Sequence, residues 1–157
     1  MPKMKAIVTG SFDPVTAGHL DIIERASRVF DEVYAVIFNN RRKEHFFSPE
    51  SRLSMLKKAC ENLGNVSVDY SEGFVADYCL EHGIGVIVRG IRDSSDVEYE
   101  INMADNNRIL GSGLETVFFP ARKGLAGISA SAVREELEKG GSTVLYPWIG
   151  YNSDNKS

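Results

Sequence analysis

The run KAIVTGSFDPVTAGHLDIIERASRVFDEVYAVIF, Lys5 to Phe38, decides the fold. It opens on a short β-branched run, Lys5 to Val8, and closes on another, Val33 to Phe38. Between them Leu20, Ile23, Ala26 and Phe30 recur at helical spacing and predict a helix from about Gly18 to Phe30. Strand, helix, strand is a βαβ unit, and the rhythm continues outward. A helix from about Pro49 to Leu63 is followed by a strand Val66 to Tyr70, a helix near Phe74 to His82 and a strand Val86 to Val88. A long helix near Asp96 to Leu110, a strand Thr116 to Phe119 and a last helix beginning near Ser129 complete the series. Ala35-Val36-Ile37-Phe38 and Val86-Ile87-Val88 are continuous apolar runs, which suit strands of a parallel sheet covered on both faces. The expected class is therefore α/β, with a doubly wound, mostly parallel sheet.

Element boundaries carry their own signals. Ser48 can cap the second helix with Pro49 at its first position, where the missing N–H costs nothing, and Gly64 is expected to end that helix in a left-handed turn. The 157 residues, 43% hydrophobic and 25% charged, suit a single domain spanning 1–157, whose polar stretch from Gly150 to Ser157 is expected to fray. Repeats, low-complexity tracts and linkers are absent from the sequence. No apolar run approaches the ~20 residues needed to cross a bilayer. Met1-Pro2-Lys3-Met4-Lys5 leads into a strand-like run rather than a secretion signal, so a cytoplasmic location is expected. A net charge of -4 argues against a broad surface for nucleic acid or anionic membrane. An anionic ligand must then be held by a local cluster of basic groups. Cys60 and Cys79 lack metal-ligand spacing and read as small core residues.

In open parallel sheets the ligand crevice lies at the strand C-termini, where strand order reverses. The first such loop, Thr9-Gly10-Ser11-Phe12-Asp13-Pro14-Val15-Thr16-Ala17-Gly18-His19, has the composition of a phosphate site. Gly10 and Gly18 permit close backbone approach, Ser11 offers a hydroxyl, and the amides opening the helix favour an anion. His19 falls in the first helical turn, where its imidazole can donate to a phosphate oxygen. A lone histidine there is often structural; its company favours function. Asp13-Pro14 reads only as a turn.

Farther along, Arg89 and Arg92 follow a buried strand, so both guanidinium groups should emerge at its C-terminal end, where planar forks match phosphate oxygens. The competing reading is surface salt bridging. Asp96, Glu98 and Glu100 have the spacing of a solvated helix face, and Arg41-Arg42-Lys43-Glu44-His45 is a charge run of the kind that is usually solvated. Ser129 and Ser131 open the last helix and supply a further N-terminal anion site. His45 is read as structural, and His82 as complementing a helix C-terminus.

Thr16-Ala17-Gly18-His19, after Gly10-Ser11-Phe12-Asp13-Pro14, resembles the T/H-x-G-H signature of the nucleotidyltransferase superfamily, which has a Rossmann-like domain. Three more motifs follow in order. Lys43-Glu44-His45-Phe46-Phe47-Ser48 precedes a helix bearing Glu50 and Arg52; Val88-Arg89-Gly90-Ile91-Arg92 precedes Asp96-Val97-Glu98-Tyr99-Glu100 and Asn107-Arg108; and Ile128-Ser129-Ala130-Ser131-Ala132-Val133-Arg134 closes the set. Together they resemble the bacterial phosphopantetheine adenylyltransferases, from about residue 4 to at least residue 137.

The resemblance implies adenylyl transfer from ATP to 4'-phosphopantetheine, giving dephospho-coenzyme A and pyrophosphate, with Mg2+ arriving on ATP and no dedicated metal ligands. It implies catalytic roles for Ser11, His19, Lys43 and Arg92. Acceptor contacts fall to Ser11, Lys43, Val75 and Arg89. ATP contacts fall to Ser11, Phe12, His19, Gly90, Ile91, Arg92, Glu100, Leu125, Ala126, Gly127, Ile128, Ser129, Ala130 and Ser131. Val75 reads equally well as ordinary core. A homohexamer inhibited by coenzyme A is implied on the same basis. Ala130 departs from the family's usual hydroxyl, and Leu125 from a frequent aromatic. Two alternatives remain: a sister enzyme acting on nicotinate mononucleotide or glycerol 3-phosphate, and a non-catalytic nucleotide sensor. Arg89-Gly90-Ile91-Arg92 with Tyr99-Glu100 speaks against the first, and the joint presence of His19, Lys43 and Arg92 against the second.

Overall fold

Ala6 and Val8 bury toward one face of the first strand and Ile7 toward the other, so this strand needs cover on both sides. A computed structural model, describing residues 2–39, 41–111, 113–122, 124 and 129–139, provides that cover. The elements run β1 (Lys5–Gly10), α1 (Ala17–Val29), β2 (Glu32–Phe38), α2 (Pro49–Cys60), β3 (Val66–Ser71), α3 (Val75–His82), β4 (Val86–Ile91), α4 (Ser94–Leu110), β5 (Glu115–Pro120) and α5 (Ala130–Glu138). The five strands form one sheet, ordered β3-β2-β1-β4-β5, and every pairing is parallel. This is the doubly wound sheet that the apolar runs imply and the Rossmann-like arrangement that the resemblance implies.

Residues from α1 (Ile22, Ile23, Ala26), α2 (Leu56, Cys60) and α5 (Val133) join Ala6, Val8, Ala35 and Ile37 in one core. On the other face Tyr78 and Cys79 of α3 cover Ile7, Val36 and Ile87. Both cysteines are buried and free, and burial pushes each thiol up to about 11, which keeps them protonated. His82 stands in the last turn of α3, stacked on Tyr78.

Several boundaries differ from the sequence expectation. α2 stops at Cys60, with Glu61 as a right-handed cap, and Gly64 is not among the residues with positive φ. The left-handed glycine cap is found instead at Gly83, after α3, with φ 68. β4 runs three residues beyond Val88, because Arg89, Gly90 and Ile91 pair with Phe118, Phe119 and Pro120. Arg89 thus lies within the strand rather than after it.

Strand order reverses between β1 and β4, whose neighbours lie on opposite sides. The loops leaving those two strands therefore diverge and leave a crevice. A side chain on Gly90 would meet Ile22 at 3.3 Å, so glycine lets α1 lie close over β4 there. Among the described residues no helix is long and apolar enough to cross a membrane. α4 is unusual: of its 17 residues only Glu100 is buried, while Tyr99, Ile101, Ile109 and Leu110 are exposed.

Candidate active site

The crevice is a cleft of about 390 Å³ over the C-terminal ends of β1 and β4. Ser11, Phe12, His19, Lys43, Arg89, Gly90, Arg92, Glu100, Ser129, Ala130 and Ser131 line it, so residues from five separate segments converge. Ile91 and Val75 are not in the lining. Val75 instead packs half-buried beside the α3-side core. Leu125, Ala126, Gly127 and Ile128 lie outside the described residues.

His19 is held by the cap of its own helix. Thr16 is the N-cap; its hydroxyl accepts from the His19 N–H at 3.2 Å, and its own N–H donates to His19 Nδ1 at 3.0 Å. The result is a capping box with histidine in the place usually taken by Glu or Gln. A main-chain N–H can only donate, so Nδ1 must accept and the ring proton must reside on Nε2. Burial first, then the charges of Arg89 and Arg92, lower the His19 pKa to about 4. At neutral pH the ring is an uncharged donor, its free N–H directed away from the cap. The Phe12 ring meets it edge-on at 4.9 Å, from a backbone with φ 45.

Each β4-end arginine is held by a carboxylate of α4. Arg89 forms a two-pronged pair with Glu100, at 3.0 and 2.9 Å, and also donates to the Thr9 carbonyl at 3.0 Å. Arg92 donates to Asp96 from Nε at 3.3 Å and from its main-chain N–H at 3.1 Å. Those two kinds of hydrogen bond from Arg92 hold the Asp96 carboxyl below its ordinary range. Both guanidinium groups border the cleft, and each is engaged there by a carboxylate. Of the acidic triad, Glu98 is exposed, whereas Asp96 and Glu100 line the cleft.

Comparisons with known proteins identify the family. The chain matches the model of the cytidylyltransferase-like family over residues 7–136. Phosphopantetheine adenylyltransferase from Symbiobacterium thermophilum is 48% identical over 132 residues, 84% of this chain and 82% of that one. The chain belongs to the phosphopantetheine adenylyltransferase family. A crystal structure of the lipopolysaccharide core biosynthesis protein from Thermoplasma volcanium shares the fold, with a TM-score of 0.58 and 21% identity over 78% of this chain and 100% of that one.

The chain of this phosphopantetheine adenylyltransferase family member, a nucleotidyltransferase, holds its cleft loops with residues to which the motifs assigned no such part. Asp13, read as a turn residue, is 2% exposed and accepts from the N–H groups of Phe46 at 2.7 Å and Phe47 at 2.8 Å. Its carbonyl accepts from Arg134 at 2.7 Å. Arg52, 1% exposed, donates to the carbonyls of Phe47 and Ser11 and to Asn39 Oδ1. Nothing in the order of residues marks Asp13 as buried. Thr16 had a legible signal, since a threonine three residues before a polar side chain at a helix start is the spacing of a capping box. Ser129 caps α5 through the Ala132 N–H at 3.1 Å, so the helix N-terminus faces the cleft with Ala130 in its first turn.

Proposed function

We propose that this chain transfers the adenylyl group of ATP to 4'-phosphopantetheine by in-line displacement, releasing pyrophosphate and dephospho-coenzyme A without a covalent enzyme intermediate. The observation that carries this reading is the convergence of His19, Lys43, Arg89 and Arg92 on one cleft at the β1/β4 reversal. The acceptor is a phosphate monoester and already anionic at neutral pH. Its oxygen attacks the α-phosphorus of ATP while the bond from that phosphorus to the oxygen bridging to the β-phosphorus breaks, so no general base is required. The work left to the protein is alignment and charge stabilisation.

A neutral imidazole whose N–H points outward suits an α-phosphate oxygen, with Ser11 beside it. Lys43, on a loop over the cleft, supplies the mobile cation at the transferred group. Arg92 with the backbone of Gly90 and Ile91 takes the pyrophosphate portion, and Arg89 the acceptor phosphate. Phe12, Glu100, Ser129, Ala130 and Ser131 complete the ATP contacts, joined by Leu125 to Ile128. Val75 borders the pantetheine arm through its backbone. Among the described residues no group of three or more His, Cys, Asp or Glu converges as a metal cage, and Asp13, Asp96 and Glu100 already accept from N–H or guanidinium donors. A Mg2+ ion arriving on the triphosphate would be held by phosphate oxygens and would neutralise their charge. The exposed apolar side chains of α4 support self-association, and we assign the chain a homohexamer, inhibited by coenzyme A, in the cytoplasm.

The test is pyrophosphate release with ATP or CTP against three acceptors: 4'-phosphopantetheine, nicotinate mononucleotide and glycerol 3-phosphate. ATP with 4'-phosphopantetheine should be preferred by orders of magnitude, with dephospho-coenzyme A as the identified product. Turnover of another acceptor would indicate a sister enzyme, and tight ATP binding without turnover a sensor.

A further inference from the structure

Lys43 is exposed, on a turn between β2 and α2, at the end of a flexible four-carbon stem. A charge so placed stabilises a transition state only if its loop is held. Arg52 closes the base of that loop: Nη2 donates to Asn39 Oδ1 at 3.2 Å at its start, and Nε to the Phe47 carbonyl at 3.2 Å at its end. The same guanidinium donates to the Ser11 carbonyl at 3.1 Å. Asp13 completes the attachment from the opposite polarity, its carboxylate accepting the N–H groups of Phe46 and Phe47. One peptide segment is thus gripped by its N–H groups and by its carbonyl, both from charged side chains, and tied to the loop that also carries Ser11. Charge-assisted bonds of this kind are about twice as strong as neutral ones. Arg134 anchors Asp13 in turn, reaching its carbonyl from α5.

We propose that Asp13 is a positioning residue which, with Arg52, fixes the Lys43 ammonium over the reacting phosphates; this rests on the catalytic reading of Lys43. Asp13 borders the cleft but is 2% exposed, and both of its carboxylate oxygens are taken by the Phe46 and Phe47 N–H groups, so its effect passes through the loop it holds. Asp13→Asn keeps the volume but offers one good acceptor for two N–H donors, and the loop end should shift. Misplacement by about 1 Å costs on the order of 10²-fold in rate.

The experiment is a double-mutant cycle on the full chain with Asp13→Asn, Lys43→Ala and both together, reading kcat and the KM for ATP. Asp13→Asn should lower kcat by about 10- to 100-fold with KM for ATP changed by less than about threefold. In the Lys43→Ala background the same change should cost less than about threefold, since the group being positioned is already gone. An equal loss in both backgrounds overturns the proposal and assigns Asp13 a general structural role. A fully active Lys43→Ala overturns the Lys43 reading and the proposal with it, whereas an impaired Lys43→Ala with additive Asp13→Asn overturns the positioning role alone. Arg52→Lys, which keeps the charge but not the fork spanning both ends of the loop, provides the same cycle should Asp13→Asn fail to fold. Amide hydrogen exchange at Phe46 and Phe47 should accelerate at least about tenfold in either variant, and unchanged exchange refutes the clamp.

Discussion

The proposed function gives His19 two tasks on two atoms: Nδ1 accepts from the Thr16 N–H, and Nε2 would donate to a ligand. Three substitutions separate them. Asn places a side-chain acceptor near the δ position but cannot reach as far as Nε2; Gln places an N–H near the ε position but leaves the cap unfilled; Ala does neither. If the ε donor faces the α-phosphate, His19→Ala and His19→Asn should both lose about 10²–10³ in kcat, equivalent to about 2.7–4 kcal/mol, as for other single preorganised donors. His19→Gln should retain a substantial share of the activity. Stability should follow a different order. Loss of the capping contact costs about 1 kcal/mol, which for a chain of this size lowers Tm by about 2–4 °C. His19→Gln and His19→Ala should show that drop and His19→Asn little of it. Steady-state pyrophosphate release and thermal unfolding, run on the same preparations, read the two scales. A fully active His19→Asn beside an inactive His19→Gln would refute the reasoning, because it would put the catalytic proton on the δ side.

With a His19 pKa of about 4 the imidazole should not titrate near pH 6.5, so any acid limb of kcat/KM near pH 6 belongs to the acceptor phosphate and should persist in His19→Gln. The folded chain holds this proton less tightly than the unfolded chain. The stability contribution is therefore full above about pH 6.5 and lost as pH falls toward 4, and imidazole NMR should find the midpoint near the lower value. Asp96→Asn keeps an acceptor for the Arg92 N–H but removes the carboxylate that occupies this exposed guanidinium; a surface pair of this kind is worth about 0.2–1 kcal/mol, so KM for ATP should fall up to about fivefold. A tenfold rise would mean that Asp96 itself binds the nucleotide. Ile109→Glu and Leu110→Glu, on the bare face of α4, should lower the particle mass measured by light scattering, and an unchanged mass would place the assembly contact elsewhere.

The β1–α1–β2 unit was legible because its apolar residues keep two clean periods, one for strand and one for helix. β4 was read short because Arg89-Gly90 breaks the apolar run, although its hydrogen bonding to β5 continues; side-chain polarity and backbone pairing part company where a strand enters a binding cleft. Gly64 carried the composition of a helix stop, but α2 had already ended at Cys60. The cleft cations could be named from motifs, whereas their partners could not. Glu100 lies eleven residues beyond Arg89 and Arg134 is 121 residues from Asp13, so only the three-dimensional arrangement joins them. Asp13 illustrates the limit: before a proline, a buried acceptor and a turn residue are spelled alike.

The order of the strands also bears on how the chain comes off the ribosome. β1, β2 and β3 can pair as soon as residues 5–71 have emerged, but β1 stays at the edge of that partial sheet until β4 adds beside it. Until residue 91 is available, the free side of β1 is an unpaired apolar edge of the sort that recruits other chains. A ribosome pausing between β3 and β4 would prolong that exposure, making this interval the one in which the nascent protein most needs a chaperone.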